Sequence, residues 1–252
     1  MTEIEIIDPN KNYDDWNKYF DFFPNIMNDV YFSSDYLNMH NFINESKVLM
    51  YVYKENDKKW IYPFLLQPIN DFNSSVKYYD IESAYGYGGP LSNIKDKEFL
   101  DNANTAFSNW CSDTNVIAEF VRFHPILENY KFFGNKINTF FNRETVSLDL
   151  NNFDIKNLPF DAKVRNMIKR PFKENVEISQ CSINSYYNDF IKLYKKNMVR
   201  LNADSYYFFN DNYFINLKNL ISKQGFFIGA ILNENLVGGA IFLNGERIFH
   251  YH

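Results

Sequence analysis

The chain reads as α+β (α/β in the broad sense), with mixed, mainly antiparallel sheets in two tandem units, residues 1–150 and 151–252. Two observations predict this. The order strand, helix, helix, antiparallel hairpin, further strand runs twice along the sequence, and 252 residues give each copy enough chain for a core of its own. A third observation separates the copies. Only the first continues into Tyr85-Gly86-Tyr87-Gly88-Gly89-Pro90, where three glycines in four positions and a proline exclude a strand or helix interior.

In the first copy Ile4–Ile7 reads as a strand, and Tyr13–Phe23 sets Trp16, Tyr19, Phe20 and Phe23 on one helical face, stopped by Pro24. Ser33 or Ser34 caps a short helix over Asp35–Ile43. Val48–Tyr53 and Trp60–Leu66 form a hairpin around Lys54–Lys58, and Val76–Ile81 a third strand. The glycine loop joins that strand to a helix over Lys95–Asn115, whose Phe99, Leu100, Ala103, Phe107 and Trp110 recur with helical period. Val116–Phe123, apolar and closed by His124-Pro125, reads as a buried strand; Ile126–Phe133 reads as a short helix and Asn138–Leu150 as extended segments.

In the second copy Phe160–Lys169 is a basic helix that Pro171 ends or kinks, and Val176–Ile183 is a strand. Ser185 caps a helix carrying Phe190, Tyr194, Met198 and Leu201. Another helix shows Tyr213, Phe214, Leu217, Leu220 and Ile221 on one face, with Gly225 as its C-terminal glycine. Phe226–Leu232 and Leu236–Leu243 pair across Asn233-Glu234-Asn235, and a strand begins in Arg247–His252.

A net charge of −5 argues against a general nucleic-acid binder, since counterion release needs a basic face. The charge is uneven, however. Between residues 161 and 203 stand nine Lys and Arg against four Asp and Glu, a stretch suited to an RNA backbone or a nucleotide-linked acceptor, or simply a solvated helix face. Aromatic content of 19% fits aromatic cores better than a sugar-binding platform. The two cysteines, Cys111 and Cys181, lack metal-ligand spacing and point to a reducing compartment. The first residues show no signal-peptide pattern, and no apolar run reaches membrane-spanning length; a cytoplasmic protein is expected. His250 and His252 alternate on the last strand without an acid or thiol spaced for a metal, and no metal is expected.

The order of elements resembles the GNAT acyltransferase fold, and two GNAT-like units in tandem resemble the FemAB family of aminoacyltransferases and its shorter relatives. Tyr85-Gly86-Tyr87-Gly88-Gly89-Pro90 is similar to the family's Tyr-Gly-Tyr-Gly-Gly-Pro block, and Glu119-Phe120-Val121-Arg122-Phe123-His124-Pro125 to its Arg-Phe-His-Pro strand end. Leu193-Tyr194, Met198-Val199-Arg200-Leu201-Asn202-Ala203 and Tyr206-Tyr207-Phe208 resemble its Leu-Tyr, Met-x-Arg, Ala, Tyr-x-Phe pattern. Val164-Arg165-Asn166-Met167-Ile168-Lys169 looks like the basic helix between the family's halves.

The resemblance implies transfer of an acyl or aminoacyl group to an amine of a cell-envelope precursor. The co-substrate would be aminoacyl-tRNA or acyl-CoA, with no tightly bound cofactor and no metal. Relative to the family, the second unit ends before its own loop and helix, so a truncated second sheet is expected, with an edge open to a homodimer. Two alternatives follow: a catalytically silent relative binding a sugar-nucleotide or a protein, and an acetyl-CoA-dependent amino-sugar N-acetyltransferase.

Candidate catalytic residues are Tyr85, Tyr87, Glu82 and His124. The tyrosine hydroxyls can orient a carbonyl or act as acid, while His124, Glu82 or Asp80 can take the proton of an attacking amine. Candidate substrate-binding residues are Gly86, Gly88, Gly89, Arg122, Arg165, Arg200 and Tyr207. Each has a structural reading beside it. The glycines can form a tight turn, Arg122 can pair with Glu119 or Asp80, and His124 can cap a helix starting at Pro125. The loop also lacks the leading Arg or Gln of a GNAT pyrophosphate loop, which makes it a poor CoA cradle.

Overall fold

The structure is a computed structural model and describes residues 2–41, 45–70, 75–134, 137–152 and 160–252. It is mixed α/β with two sheets, mostly antiparallel. By packing, the chain divides into Met1–Phe140 with Asn244–Phe249, and Phe141–Leu243 with His250–His252.

The first unit runs β1 (Thr2–Ile7), α1 (Tyr13–Phe20), α2 (Ser34–Met39), β2 (Lys47–Glu55), β3 (Lys58–Ile69), β4 (Tyr78–Glu82), β5 (Leu91–Ser92), α3 (Lys97–Asp113) and β6 (Val116–Phe120). Its sheet has the order β1-β2-β3-β4-β6, with β5 also on β3. All pairs are antiparallel except β4 with β6, which α3 connects in parallel. A parallel pair needs such a crossover, so a helix of this length between the two strands is what the topology demands.

The centre of the sheet is the β2–β3 hairpin, and its sequence shows why. Leu49, Tyr51 and Tyr53 alternate with Val48, Met50 and Val52, and all six are buried. Both faces of these strands are therefore covered. One face, carrying Tyr51, Trp60, Tyr62 and Phe64, packs against Phe99, Leu100, Ala103 and Phe107 of α3. Helix α2 lies against β2 as well, with Tyr36, Leu37 and Met39 buried. Asp96 starts α3 by accepting the Phe99 N–H at 2.8 Å, and Ser33 starts α2 by accepting the Tyr36 N–H at 3.3 Å. The expected helix over Asp35–Ile43 is α2 within the described residues; 42–44 lie outside them.

The second unit runs α4 (Ala162–Lys173), β7 (Glu177–Cys181), α5 (Ile183–Arg200), α6 (Asp211–Gln224), β8 (Gly225–Leu232), β9 (Asn235–Asn244) and β10 (Phe249–Tyr251). Strands β7 to β10 form a sheet in chain order. Strand, two helices and three further strands thus repeat the first unit's opening. Asn233 and Glu234, at φ 48° and 65°, make the two-residue turn between β8 and β9, the backbone that matches hairpin twist. Tyr213, Phe214, Leu217, Leu220 and Ile221 are all buried, as their spacing predicts.

Six expectations need correction. Val116–Phe120 is not buried: Ile117 and Phe120 are 53% and 55% exposed, because β6 is the outermost strand of its sheet. Ile126–Phe133 holds only a 3-10 turn, Asn129–Phe133, and 138–149 form no strand, having no partner strand to supply a ladder. Of the two outcomes expected at Pro171, an end or a kink, the end does not fall there: α4 continues to Lys173. Pro171 lies in the last turn, where its missing N–H costs one bond and Glu174 N–H closes the helix on the Arg170 and Pro171 carbonyls. Helix α5 begins at Ile183 after Ser182, two residues before Ser185. Gly225 is extended, at φ −177°, and opens β8. Its lack of a Cβ answers to the Phe242 carbonyl, which a Cβ would approach to 2.6 Å.

Candidate functional site

Strands β4 and β6 pair in parallel up to Glu82 and Phe120, and the Ser83 N–H adds a rung to the Phe120 carbonyl at 3.1 Å. The chain then leaves the sheet for Ala84–Tyr87 and returns at Gly88, whose N–H donates to the Arg122 carbonyl at 2.8 Å. Gly88 bridges Phe123 there in parallel. The glycine loop is therefore a bulge between two points of the same strand pairing. It does not lead straight into a helix. Strand β5 and residues 93–96 intervene, and the N-terminus of α3 is closed by the Asp96 carboxylate. The expected direct joint between strand and helix is corrected on that ground: the positive end of α3 answers to Asp96.

Each glycine has a steric reason. Gly86 and Gly89 adopt φ 94° and 100°, which side chains disfavour. A Cβ on Gly86 would overlap the Tyr31 ring, one on Gly88 would come 2.7 Å from Ser83 Cβ, and one on Gly89 2.9 Å from Asn129 Nδ2. Side chains distant in sequence hold the loop. The Tyr36 hydroxyl donates to the Tyr85 carbonyl at 2.6 Å, and buried Asn129 donates to the Gly88 and Pro90 carbonyls at 2.9 and 3.1 Å. Ser83 Oγ accepts the Arg122 N–H at 3.2 Å.

Around the loop lies a band of aromatic and imidazole rings. Tyr31 meets Tyr36 and Tyr87 edge-on, with centroids 4.9 and 5.3 Å apart. Tyr36 adjoins His40, His40 stacks on Tyr85, and Tyr87 adjoins His124. Tyr85 is 40% exposed, the loop's accessible side chain. Burial above all, then the negative charge of Asp29, holds the Tyr31 hydroxyl well above the usual phenol range.

His124 is fully buried and caps the turn that follows, one of the two readings its sequence allowed. Its Nδ1 accepts the Ile126 and Leu127 N–H groups at 3.2 and 3.3 Å, which places the ring proton on Nε2. Nε2 lies 3.6 Å from Asp29 Oδ2, and the His124 N–H donates to Asn129 Oδ1 at 2.8 Å.

Glu82 ends β4 on the same face as Asp80, two residues earlier. Gln67, opposite Asp80 in the β3–β4 register, donates across to Glu82 Oε2 at 3.2 Å. Burial raises the Glu82 pKa first and the charge of Asp80 adds to it, while Gln67 and the Arg122 charge work the other way. Asp80 is raised too, by burial. Arg122 forms no ion pair with Glu119 or Asp80 among the described residues. Its guanidinium lies 6.0 Å from the Tyr85 ring centre and 5.8 Å from that of Phe120. Glu119 accepts instead from the buried Tyr62 hydroxyl at 2.7 Å.

Glu82, Tyr85, Gly86, Tyr87, Gly88, Gly89, Arg122 and His124 thus share one region of the first unit. Arg165, Arg200 and Tyr207 belong to the second. Arg165 donates to the Phe160 carbonyl on an exposed helix, and Arg200 donates twice to Asn197 Oδ1, at 3.2 and 2.7 Å. The Tyr207 carbonyl accepts the Tyr194 hydroxyl at 2.8 Å. Residues the sequence did not single out are Asp29, Tyr31, Tyr36, His40, Gln67 and Asn129. Asp29 carried one usable signal, an acid accepting the N–H two residues on, here at 3.1 Å; the rest reach the loop only through the fold.

No protein-family model matches the sequence, and no curated protein matches it. Among solved structures the chain is similar to an aminoglycoside acetyltransferase from an uncultured soil metagenomic sample, in crystal structures with trehalose and with sisomicin. Each comparison has 12% identity and a TM-score of 0.33, covering 59% of this chain and 97% of that one. Those neighbours are acetyltransferases, and a likeness at this level says nothing of the chemistry of this chain. Among the described residues no helix is long and apolar enough to cross a membrane.

Proposed function

We propose that the first unit transfers an acyl or aminoacyl group to an amine, in the manner of the FemAB-type enzymes its motifs resemble, with a cell-envelope precursor as acceptor. The observation that carries this reading is Glu82: a half-buried carboxylate at a strand end, its affinity for a proton raised by burial and by Asp80, beside Arg122 and the exposed Tyr85. Such a carboxylate suits a general base. It takes a proton from the incoming ammonium, and the freed amine attacks the carbonyl carbon of the donor. The tetrahedral intermediate then expels a thiolate or a ribose alkoxide, which takes a proton from the Tyr85 hydroxyl. The tyrosinate regains its proton from the attacking nitrogen, which is still cationic, as the amide forms, and the proton held by Glu82 returns to solvent. Arg122 offers positive charge to the oxyanion.

Two of the four motif blocks that carry the resemblance, 85–90 and 119–125, meet at this site, which supports the same reading. The Gly88 N–H donates to the Arg122 carbonyl, and at the α3 N-terminus the Phe99 N–H donates to Asp96, so neither of these two N–H groups is offered to a pyrophosphate. That favours aminoacyl-tRNA over acyl-CoA. The test is single-turnover transfer from each donor to a panel of amino sugars and amine-bearing cell-wall precursor peptides. Glu82→Gln should lower kcat by roughly 10²- to 10⁴-fold with KM little changed. Wild-type kcat in that variant would remove Glu82 from the mechanism, and no turnover with either donor would remove the activity.

A further inference from the structure

Helix α4 is exposed along nearly all its length, and its two faces differ sharply. Residues 162–170 are all exposed, as are Phe172 and Lys173. Val164, Ile168 and Phe172 recur every four residues and Met167 lies beside them, so one face is apolar. That face is open to solvent: Met167 and Phe172 are 63% and 60% exposed. The opposite face carries Lys163, Arg165, Lys169, Arg170 and Lys173, and the helix contains no acid. Arg170 is tied to Glu174 at 2.9 Å, while the three lysines have no ion pair among the described residues.

We infer that α4 is a membrane-surface helix that lies in the headgroup region of an anionic bilayer. The cations account for attraction to acidic headgroups, and the apolar stripe accounts for insertion below them. An RNA backbone would use the cations and leave Met167 and Phe172 in water, so the exposed stripe is what selects lipid. Twelve residues span roughly 18 Å, too short to cross a bilayer and long enough to lie on one. The inference is independent of the chemistry proposed for the first unit.

The test is co-sedimentation of the full chain with vesicles of phosphatidylcholine alone and of phosphatidylcholine mixed with phosphatidylglycerol. The wild type should pellet with the mixed vesicles only, and added salt should release it. Lys169→Ser with Lys173→Ser should weaken binding about 25-fold, at roughly fivefold for each cation near an anionic surface. Met167→Ser with Phe172→Ser should abolish it while leaving the thermal transition unchanged, since both side chains are exposed. Undiminished vesicle binding by the apolar-face pair would overturn the inference. So would equal binding to neutral vesicles, or retention of a single-stranded RNA oligonucleotide that the apolar-face pair does not disturb, with no vesicle binding.

Discussion

Replacing Gly86 by alanine tests whether the glycine loop is held as tightly as its geometry indicates. Two separable costs arise. At φ 94° an alanine sits in a region that costs about 1–2 kcal/mol for a residue with a Cβ. The new Cβ also overlaps Tyr31, whose Cζ lies at 2.9 Å and whose ring is buried among Tyr36 and Tyr87, so relief requires moving packed aromatics. Overpacking of that kind costs about 1–3 kcal/mol. Together they amount to about 2–5 kcal/mol, measured as a loss of unfolding free energy in urea. Gly238→Ala is the control, because its Cβ meets only Ala230 Cβ at 3.5 Å, an ordinary contact. A double-mutant cycle divides the sum. With Tyr31→Ala in the background, the overlap disappears and Gly86→Ala should cost only the backbone part. A Gly86→Ala cost within about 0.5 kcal/mol of zero, or one left unchanged by removal of the Tyr31 ring, would show that the loop is not held by this contact.

Two further outcomes follow from buried polar groups. Asn129→Ala should cost about 2–4 kcal/mol in the same unfolding measurement, because it strands the Gly88 and Pro90 carbonyls and the His124 N–H together; a cost below about 1 kcal/mol would mean water replaces the amide. The second concerns His252, which burial first and His250 second hold at a pKa of about 4, with Nε2 2.9 Å from the Tyr213 hydroxyl. Between about pH 6.5 and 4 the unfolded chain binds a proton there that the folded chain does not, so stability falls as the pH falls, by up to about 3 kcal/mol. The raised carboxyls Asp80, Glu82 and Glu119 act in the opposite direction, since the folded chain then holds the extra protons. Subtracting the pH profile of His252→Gln from that of the wild type isolates the histidine, and coincident profiles would refute its role.

Local signals in the sequence located most elements. The β2–β3 hairpin was legible because two apolar runs flank Asn56-Asp57, and Asn56 takes the positive φ, 54°, that such a turn requires. Helices α3 and α6 were legible by their period. Legibility failed where a neighbour distant in sequence decides the outcome. Val116–Phe120 is apolar enough for an interior strand, and its exposure depends on standing last in the strand order, which no window of sequence contains. Gly225 carries the mark of a helix stop, yet its position is decided by a carbonyl at Phe242 across the sheet. The same limit applies at the site. Glu82, Arg122 and the glycine loop could be named in advance, whereas Tyr31, Tyr36 and Asn129 reach the loop from 39 or more residues away.

The way the loop is held bears on what it can do. A loop built to wrap a phosphate presents its N–H groups outward. Here each glycine is glycine because of something inside the protein: Tyr31 for Gly86, Ser83 for Gly88, Phe123 and Asn129 for Gly89. The Gly88 N–H and the Tyr85, Gly88 and Pro90 carbonyls are also taken by internal partners. What turns outward is the Tyr85 side chain, with Arg122 beside it and Glu82 within reach of the Arg122 charge. On the acyl-transfer reading proposed above, a loop held in this way presents one phenol next to one guanidinium and one carboxylate, groups that would place a reacting carbonyl and move protons. Fixed positioning of that kind supplies rate without adding affinity for the ground state. Loosening the loop through Gly86 should therefore lower kcat more than it raises KM, the reverse of the effect expected had the loop served chiefly to grip a donor's phosphates.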